Sequence, residues 1–368
     1  MTNPSNQLKN ILIISPEAWD FIKVSKHHYA VELVRSGNRV YFLNPPDATS
    51  YRGLRIAESG IEHLYVIDYP GQLMGMRFLP GYLRRQINYR FLKKLERLVD
   101  HRIDVVWNFE NSRFYDMGFA KNRLKIYHQV DLNQDFHVKE AANSADICFC
   151  TTDFIKSKIV VYNKKVYKIH HGVSQSAFLK VQTYETTGKP VATLVGNLDI
   201  SYLDHELLQK LIIQNERVQF NLVGEYDMQG LMYKRFYKYK NVRFIGRVSS
   251  ESIKDYLLES DVLLVCYKAN EYKEQLASPH KMMEYFASGK VIVATYTDEY
   301  KDKQHLLLMS DSKEEYMLKF KKAIDNLDFF NSPEKQAERV AFAREHTYRR
   351  QLEKINEFIK MNFLPEIL

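Results

Sequence analysis

Short apolar runs and one-sided helical patterns alternate along this chain almost from end to end. In the first half, residues 10–14, 39–43, 63–67, 104–108, 125–127, 146–150 and 166–170 read as buried strands. Helical periodicity falls between them at 25–36, 81–100 and 152–161. The second half repeats the arrangement, with strands expected at 191–196, 218–224, 242–246, 261–267, 291–295 and 306–308. Helices are expected there at 203–214, 250–260, 279–288 and 313–326. Strands alternating with helices at this spacing indicate parallel α/β layers. A polar stretch at 181–190, containing Thr183, Thr186, Thr187, Gly188 and Pro190, reads as a linker. At 368 residues the chain exceeds one ordinary core and suits two domains.

Composition narrows the class. With 45% hydrophobic and 27% charged residues the chain is globular, and no run approaches the ~20 apolar residues of a membrane span. The first ten residues are polar and the run Ile11–Ile14 is far shorter than a signal-peptide core, so a cytoplasmic setting is expected. Three cysteines, two of them Cys148 and Cys150 in an apolar run, suggest buried thiols in a reducing compartment rather than a metal site.

Charge is uneven. Residues 1–180 carry 26 Lys+Arg against 17 Asp+Glu, whereas 181–368 carry 27 against 28. Between residues 71 and 102, eight basic residues (Arg77, Arg84, Arg85, Arg90, Lys93, Lys94, Arg97, Arg102) face only Glu96 and Asp100. Leu73, Met74, Phe78, Tyr82, Leu83 and further apolar residues are interleaved with them. That composition suits either an anionic membrane surface or an ordinary solvated helix with a buried stripe. No nucleic-acid motif accompanies it, so nucleic acid is not expected as a partner.

The segment 278–290 carries the most specific chemistry. Ser278 suits an N-cap and Pro279 a first helical position, and the free N–H groups of such a helix start attract anions. Lys281 in the first turn is unfavourable for the helix dipole unless a bound anion compensates it, and Glu284 follows on the same face. Gly289-Lys290 then stops the helix before the strand-like Val291–Thr295. A diphosphate at the helix start with Lys281, and a sugar hydroxyl at Glu284, would make a nucleotide-sugar site.

This segment resembles the donor-binding signature of GT-B glycosyltransferases, especially the family 4 group. Further fragments occur in the same order: Ile169-His170-His171-Gly172-Val173 with Phe178, Val195-Gly196-Asn197, Leu222-Val223-Gly224, Val242–Gly246, and Ala343–Tyr348. The resemblance is dense from about residue 165 to 360 and thinner before it. It implies two Rossmann-like domains facing across a cleft, an acceptor domain at 1–180 and a donor domain at 181–340. A C-terminal helix at 341–368 would return to the first domain. It further implies a nucleotide-sugar donor, no bound metal, and a Glu at position 284 that contacts the nucleotide ribose. A saccharide or lipid-linked acceptor, cell-surface polysaccharide or glycolipid assembly, and peripheral attachment to the inner membrane face would fit that setting.

Three departures mark a divergent branch. Leu276 stands where family 4 enzymes often carry a second Glu, Asn197-Leu198-Asp199 replaces a customary basic pair, and Val291 replaces a Pro. Some cation must take over from the missing pair, with Lys281 first and Arg247 second. Ser278, His280, Gly196, Gly224 and Tyr267 complete the expected donor side, Tyr267 either stacking on the base or filling the core. In the first domain, Tyr127-His128-Gln129-Val130-Asp131 resembles a family segment that projects His128 and Asp131 into the cleft. Asp131 could serve as a base in an inverting reaction, although the family resemblance favours retention. His27, His28 and Trp19 either face the acceptor or cap and fill the core. A non-catalytic GT-B-like binding protein is the rival reading. No G-x-G-x-x-G follows Ile14, which excludes a Rossmann dehydrogenase.

Overall fold

The computed structural model describes residues 8–363 apart from 48–52, 72–74, 182 and 186–187. Leu73, Met74 and the Arg77 side chain of the basic segment, Thr186 and Thr187 of the linker, and residues 364–368 of the expected last helix lie outside the described residues. The chain divides into unit 1, Met1–His171 with Tyr348–Leu368, and unit 2, Gly172–Thr347. Each chain passage leaves unit 2 beside the other, because Val173 N–H donates to His346 O at 3.0 Å. The junction therefore falls before the polar stretch at 181–190, not within it.

Unit 1 holds β1 (Asn10–Ile14), β2 (Arg39–Leu43), β3 (Arg55–Glu58), β4 (Leu64–Asp68), β5 (Val105–Asn108), β6 (Leu124–Gln129), β7 (Ile147–Cys150) and β8 (Val166–Lys168). Its helices are α1 (Ser25–Arg35), α2 (Gly81–Val99), α3 (Val138–Ser144) and α4 (Asp153–Ile159). The strands form one sheet in the order β3-β4-β2-β1-β5-β6-β7-β8, parallel except for β3 against β4. Alternation along β1 sets the layers. Ile11 and Ile13 pack with Tyr29 and Leu33 of α1, while Leu12 and Ile14 pack with Leu92 and Leu95 of α2. All three cysteines of the chain are buried and unbridged.

Unit 2 holds β9 (Val191–Val195), β10 (Gln219–Val223), β11 (Val242–Gly246), β12 (Val262–Val265), β13 (Val291–Thr295) and β14 (Leu308–Ser310). They are parallel in the order β11-β10-β9-β12-β13-β14. Its helices are α5 (His205–Gln214), α6 (Leu231–Phe236), α7 (Ser250–Glu259), α8 (Lys281–Ser288), α9 (Lys313–Asp325), α10 (Leu327–Phe330) and α11 (Pro333–Arg344). The chain then enters α12 (Tyr348–Asn362) of unit 1, whose Leu352 and Ile355 join the α1 side of that core.

Local sequence explains several boundaries. Side chains of Thr152, Asp204, Ser249, Ser312 and Ser332 accept N–H bonds at the starts of α4, α5, α7, α9 and α11. Gly289 closes α8 with φ +75°, the left-handed stop its sequence predicts. Elements absent from the pattern have recognisable causes. β3 is an antiparallel edge strand with no buried residue, and α11 buries Gln336 and Arg339 beside Val340 and Ala343, so neither shows a clean apolar stripe. The last strand lies at 308–310 instead of 306–308, because Leu306 and Leu307 turn into the core before Leu308 pairs with Val293.

Arg339 fastens α11 to the ends of α8 and α10 and to the segment before β14. Its guanidinium is 2% exposed and donates to Leu306 O, Gly289 O and Phe330 O, each at 2.8 Å. Three carbonyls, one of them at the C-terminal end of α8, replace a carboxylate partner. Arg339→Met should therefore lower unfolding free energy by about 3 kcal/mol, since three buried carbonyls lose a charged donor. Arg339→Lys should not restore it, because an ammonium cannot span the same fork; denaturant midpoints of the three proteins check this.

Candidate functional site

In parallel sheets, ligands settle at the carboxyl ends of the strands where the winding order reverses. In unit 2 that point lies between β9 and β12. The two strands pair up to Leu194 and Leu264 and then part. The Tyr285 hydroxyl fills the gap: it accepts the Val195 N–H at 3.0 Å and donates to Leu264 O at 3.3 Å. Burial pushes its pKa well up, so it remains a neutral bridge.

Above that bridge stand the predicted donor residues. Lys281 Nζ donates to Val195 O and lies 5.0 Å from the centre of the Tyr267 ring. Gly196 follows Val195 with φ +142°, and a Cβ there would stand 2.9 Å from Lys281 Nζ. Gly224 also has φ +142°, and a Cβ on it would collide with the Gly196 carbonyl. The strand ends are laced together by Gly196 N–H to Val223 O and Gly224 N–H to Gly246 O, both at 2.9 Å. Two glycines are thus required sterically, one for backbone contact and one to admit the ammonium.

Glu284 lies one turn along α8, half-buried. Burial pushes its carboxyl up to about 7, with Lys281 pulling in the opposite direction. Arg247 is exposed immediately after Gly246, and His280 is exposed at the start of α8. Tyr267 is 9% exposed, its ring set edge-on to Tyr202 at 5.3 Å and flanked by Lys281. It forms a wall of the site more than a free stacking platform.

The helix start differs from its sequence pattern. α8 begins at Lys281 with His280 in the cap position, and Pro279 O accepts the Met282 N–H at 3.1 Å in a tight turn. Ser278 caps nothing, its hydroxyl being buried beside that of Tyr300. The cause lies upstream: Leu276 and Ala277 are drawn into the core, and Ala277 O takes the Glu299 N–H at 3.1 Å. Lys281 correspondingly reaches back to β9 instead of standing over the helix N-terminus.

A cavity of about 630 Å³ adjoins the β9–α5 connection, lined by His205, Arg235, Lys268 and Lys313 but also by Asp199, Asp204, Glu206, Asp227 and Glu271. Lys313 is already paired with Asp204 at 2.9 Å and Glu206 at 3.1 Å. Five carboxylates make that cavity a poor host for a diphosphate, which leaves Lys281 as the better-placed cation.

In unit 1 the predicted residues are largely used by the fold. The His128 ring is 1% exposed, set among Trp107, Phe109, Tyr29 and Phe149, and burial with nearby Lys26 pushes its pKa down to about 3. It is a neutral core residue; the side chain of His128 shares a face with Ile126 and packs inward. Asp131 is half-buried and caps a short turn, accepting the Asn133 N–H at 2.9 Å. His27 is also satisfied internally: one ring nitrogen accepts the Val24 N–H at 3.2 Å, the other donates to Ala18 O at 3.0 Å, and burial lowers its pKa to about 4. Trp19 is 6% exposed and packs on His27 and Phe42, with Lys23 Nζ 3.8 Å from its ring centre. His28, half-buried, stacks on Tyr348 at 4.5 Å.

The sequence pattern missed two features here and one in unit 2. Lys26 is 2% exposed and ion-paired with Glu17. The loop after β5 is built on Glu110, which accepts from Ser112, Arg113 and Phe114. The third is Tyr285, because nothing in its spacing reveals a hydroxyl bridging two strands.

Two outcomes follow from this geometry. Gly224→Ala should distort the β9–β10 ends and abolish ligand binding at the site, as titration of the folded variant would show. Glu284 has a folded pKa near 7 against an ordinary 4.5, so the folded state holds its proton longer. Its contribution to stability should fall as pH rises from about 4.5 to about 7 and stay flat above, by roughly 3 kcal/mol at most. Glu284→Gln should remove that fall, leaving the variant more stable than wild type at pH 8 and similar at pH 4.5 in denaturation curves.

Residues 189–326 match the family described as glycosyl transferases group 1. No curated protein matches the chain in sequence. Solved structures match its fold over nearly the whole length. Sucrose-phosphate synthase from Thermosynechococcus elongatus aligns with a TM-score of 0.70 at 12% identity, covering 96% of this chain and 98% of its own. HepE of Anabaena in complex with UDP and glucose gives 0.64 at 13% identity, covering 96% and 100%. WaaG, a glycosyltransferase involved in lipopolysaccharide biosynthesis, gives 0.63 at 12%, covering 94% and 98%. The chain therefore has the GT-B fold of these structures, and residues 189–326 of unit 2 carry the sequence pattern of the group 1 glycosyl transferases.

Proposed function

We propose that the protein transfers a sugar from a nucleoside-diphosphate donor, bound at the β9–β12 switch point of unit 2, to an acceptor hydroxyl. The observation that carries this reading is the pairing of Lys281 with Glu284 above the Gly196–Gly224 contact. An ammonium with donor capacity to spare stands where an anion can approach bare glycine backbone, and a carboxyl poised near neutrality follows one turn on. Lys281 would stabilise charge on the departing diphosphate, the task of the missing basic pair, and no bound metal is invoked. Glu284 would accept from a ribose hydroxyl. The complex of HepE with UDP and glucose supports a nucleotide-sugar donor of this kind.

The acceptor is assigned to unit 1 by the family resemblance. With His27 and His128 committed to packing, Asp131 is the predicted unit 1 acid with an accessible side chain. Retention of configuration fits best: the sugar–phosphate bond breaks, the acceptor oxygen forms the new bond on the same face, and its proton passes to the leaving phosphate. A saccharide or lipid-linked acceptor, and assembly of a cell-surface polysaccharide or glycolipid, accord with the basic segment 71–102. There, Phe78, Tyr82 and Leu83 are exposed beside Arg90, Lys94 and Arg97, which would favour an anionic membrane. Among the described residues no helix is long and apolar enough to cross a membrane.

One observation favours the rival, non-catalytic reading. Leu276, at the position of the family's second Glu, is 3% exposed within the core of unit 2, so that position offers the donor sugar no carboxylate. Calorimetric titration with UDP and GDP separates the two. One nucleotide should bind, and Lys281→Ala and Glu284→Ala should each weaken it roughly 10- to 100-fold. Absence of binding by the folded wild-type protein would defeat the donor-site reading.

A further inference from the structure

The near-neutral balance of the second half hides a local extreme. Between Asp227 and Glu251 there are six basic residues (Lys234, Arg235, Lys238, Lys240, Arg243, Arg247) and no acidic one. The structure gathers this run onto one place, α6, its C-terminal turn and β11, the outermost strand of the unit 2 sheet. Lys234, Lys238, Lys240, Arg243 and Arg247 are exposed. Among the described residues, no carboxylate pairs with Lys234, Lys238, Lys240 or Arg243. The basic segment of unit 1 is less available: Arg85 is held by Asp116 at 2.7 Å, and Lys93 by Glu96 at 2.9 Å.

Large apolar groups stand exposed among these charges. Met228 is 68% exposed, Leu231 60% and Tyr237 62%. Leu231 and Lys234 lie one turn apart on α6, so cation and hydrocarbon share a face. Tyr237 is not a loose side chain. Its ring stacks on Tyr233 at 5.5 Å, Tyr233 stacks on Tyr226 at 5.6 Å, and Phe244 of β11 closes the ladder at 4.8 and 5.2 Å. Holding an apolar ring in water at fixed orientation reduces the ordering cost when another surface covers it.

We propose that the α6–β11 face of unit 2 docks on an anionic phospholipid bilayer. The lysines would engage headgroup phosphates while Leu231, Met228 and Tyr237 enter the interfacial layer. Three features favour lipid over a macromolecular partner. The exposed charge between Asp227 and Glu251 is of one sign, the carboxylates nearby being gathered in the cavity on the β9–α5 side, whereas protein interfaces mix both signs. The free edge of β11 carries Arg243, which discourages strand addition. Met228 and Leu231 are aliphatic, and side chains of that kind partition into headgroups but stack on no base. The inference does not depend on sugar transfer, since docking can be measured without donor or acceptor.

The test is sedimentation of the full-length protein with vesicles of phosphatidylcholine alone and of an equimolar mixture with phosphatidylglycerol. Wild type should bind only the anionic vesicles, and salt should weaken the binding. Each Lys or Arg near such a surface strengthens binding roughly fivefold. Lys234→Glu/Lys238→Glu/Lys240→Glu should therefore lower it by about two orders of magnitude or more. Leu231→Ser/Tyr237→Ser should also lower it, although net charge is unchanged. A parallel Arg90→Glu/Lys94→Glu/Arg97→Glu protein tests unit 1 separately. Wild-type binding by both unit 2 variants, a loss confined to the unit 1 variant, equal binding to neutral vesicles, or preferential capture by a single-stranded oligonucleotide would each overturn the proposal. Melting curves of the surface variants should match wild type, and their UDP and GDP titrations should as well, so loss of docking is distinguishable from loss of the donor site.

Discussion

The candidate site depends on how β9 and β12 part at their carboxyl ends. A parallel sheet cannot stay fully hydrogen-bonded where its winding direction reverses, and here the unmet groups are Val195 N–H and Leu264 O. One phenol satisfies both. Because Tyr285 is anchored there, α8 is brought down onto the strand ends, and Lys281 reaches the Val195 carbonyl. The Gly196–Gly224 contact then keeps the approach to that ammonium lined by backbone. The candidate site in unit 2 is thus built on a defect that every doubly wound sheet must repair, with the repair placed so that a cation stands beside it.

The two units treat their polar residues differently. In unit 2, Lys281 and Glu284 are only partly enclosed, and Lys281 pulls against the burial that raises the Glu284 carboxyl. In unit 1, His27 and His128 are enclosed so completely that desolvation holds both neutral. An imidazole placed between aromatic rings gains packing and loses its charged form. The same residue type therefore serves as structure in one unit where its sequence position had suggested chemistry.

Surface charge shows a related effect. A helix such as α2 spends part of its positive charge on Asp116 and Glu96, the latter also held by the buried Arg123. The shorter α6 spends none that the structure records, although it belongs to the half of the chain with no net positive charge. What governs an interaction with an anionic surface is the local, unpaired density, screened beyond about 10 Å, and not the average over a domain.

Much of the fold was legible in the chain. Strands β1, β2, β11 and β13 fall where their apolar runs end, and α8 stops at Gly289, because such signals depend on near neighbours. The order of the fragments around Gly196, Gly224 and Glu284 likewise anticipated the group 1 pattern that residues 189–326 match. Several things were invisible: the edge strand β3, with no buried face; α11, whose buried face includes Arg339 and Gln336; and the shift of the α8 start past Ser278. Each depends on contacts between residues far apart in sequence. The sequence by itself determined the alternation of strands and helices, the positions of the glycines and the presence of Lys281 and Glu284 on one face. Only the tertiary structure decided that Tyr285 bridges β9 and β12, that Leu276 belongs to the core, and that His27 and His128 are packed while Lys281 is not. Periodicity and capping are set within a turn or two of chain, whereas burial, and with it the charge state of every candidate group, is set by whatever the rest of the fold brings alongside.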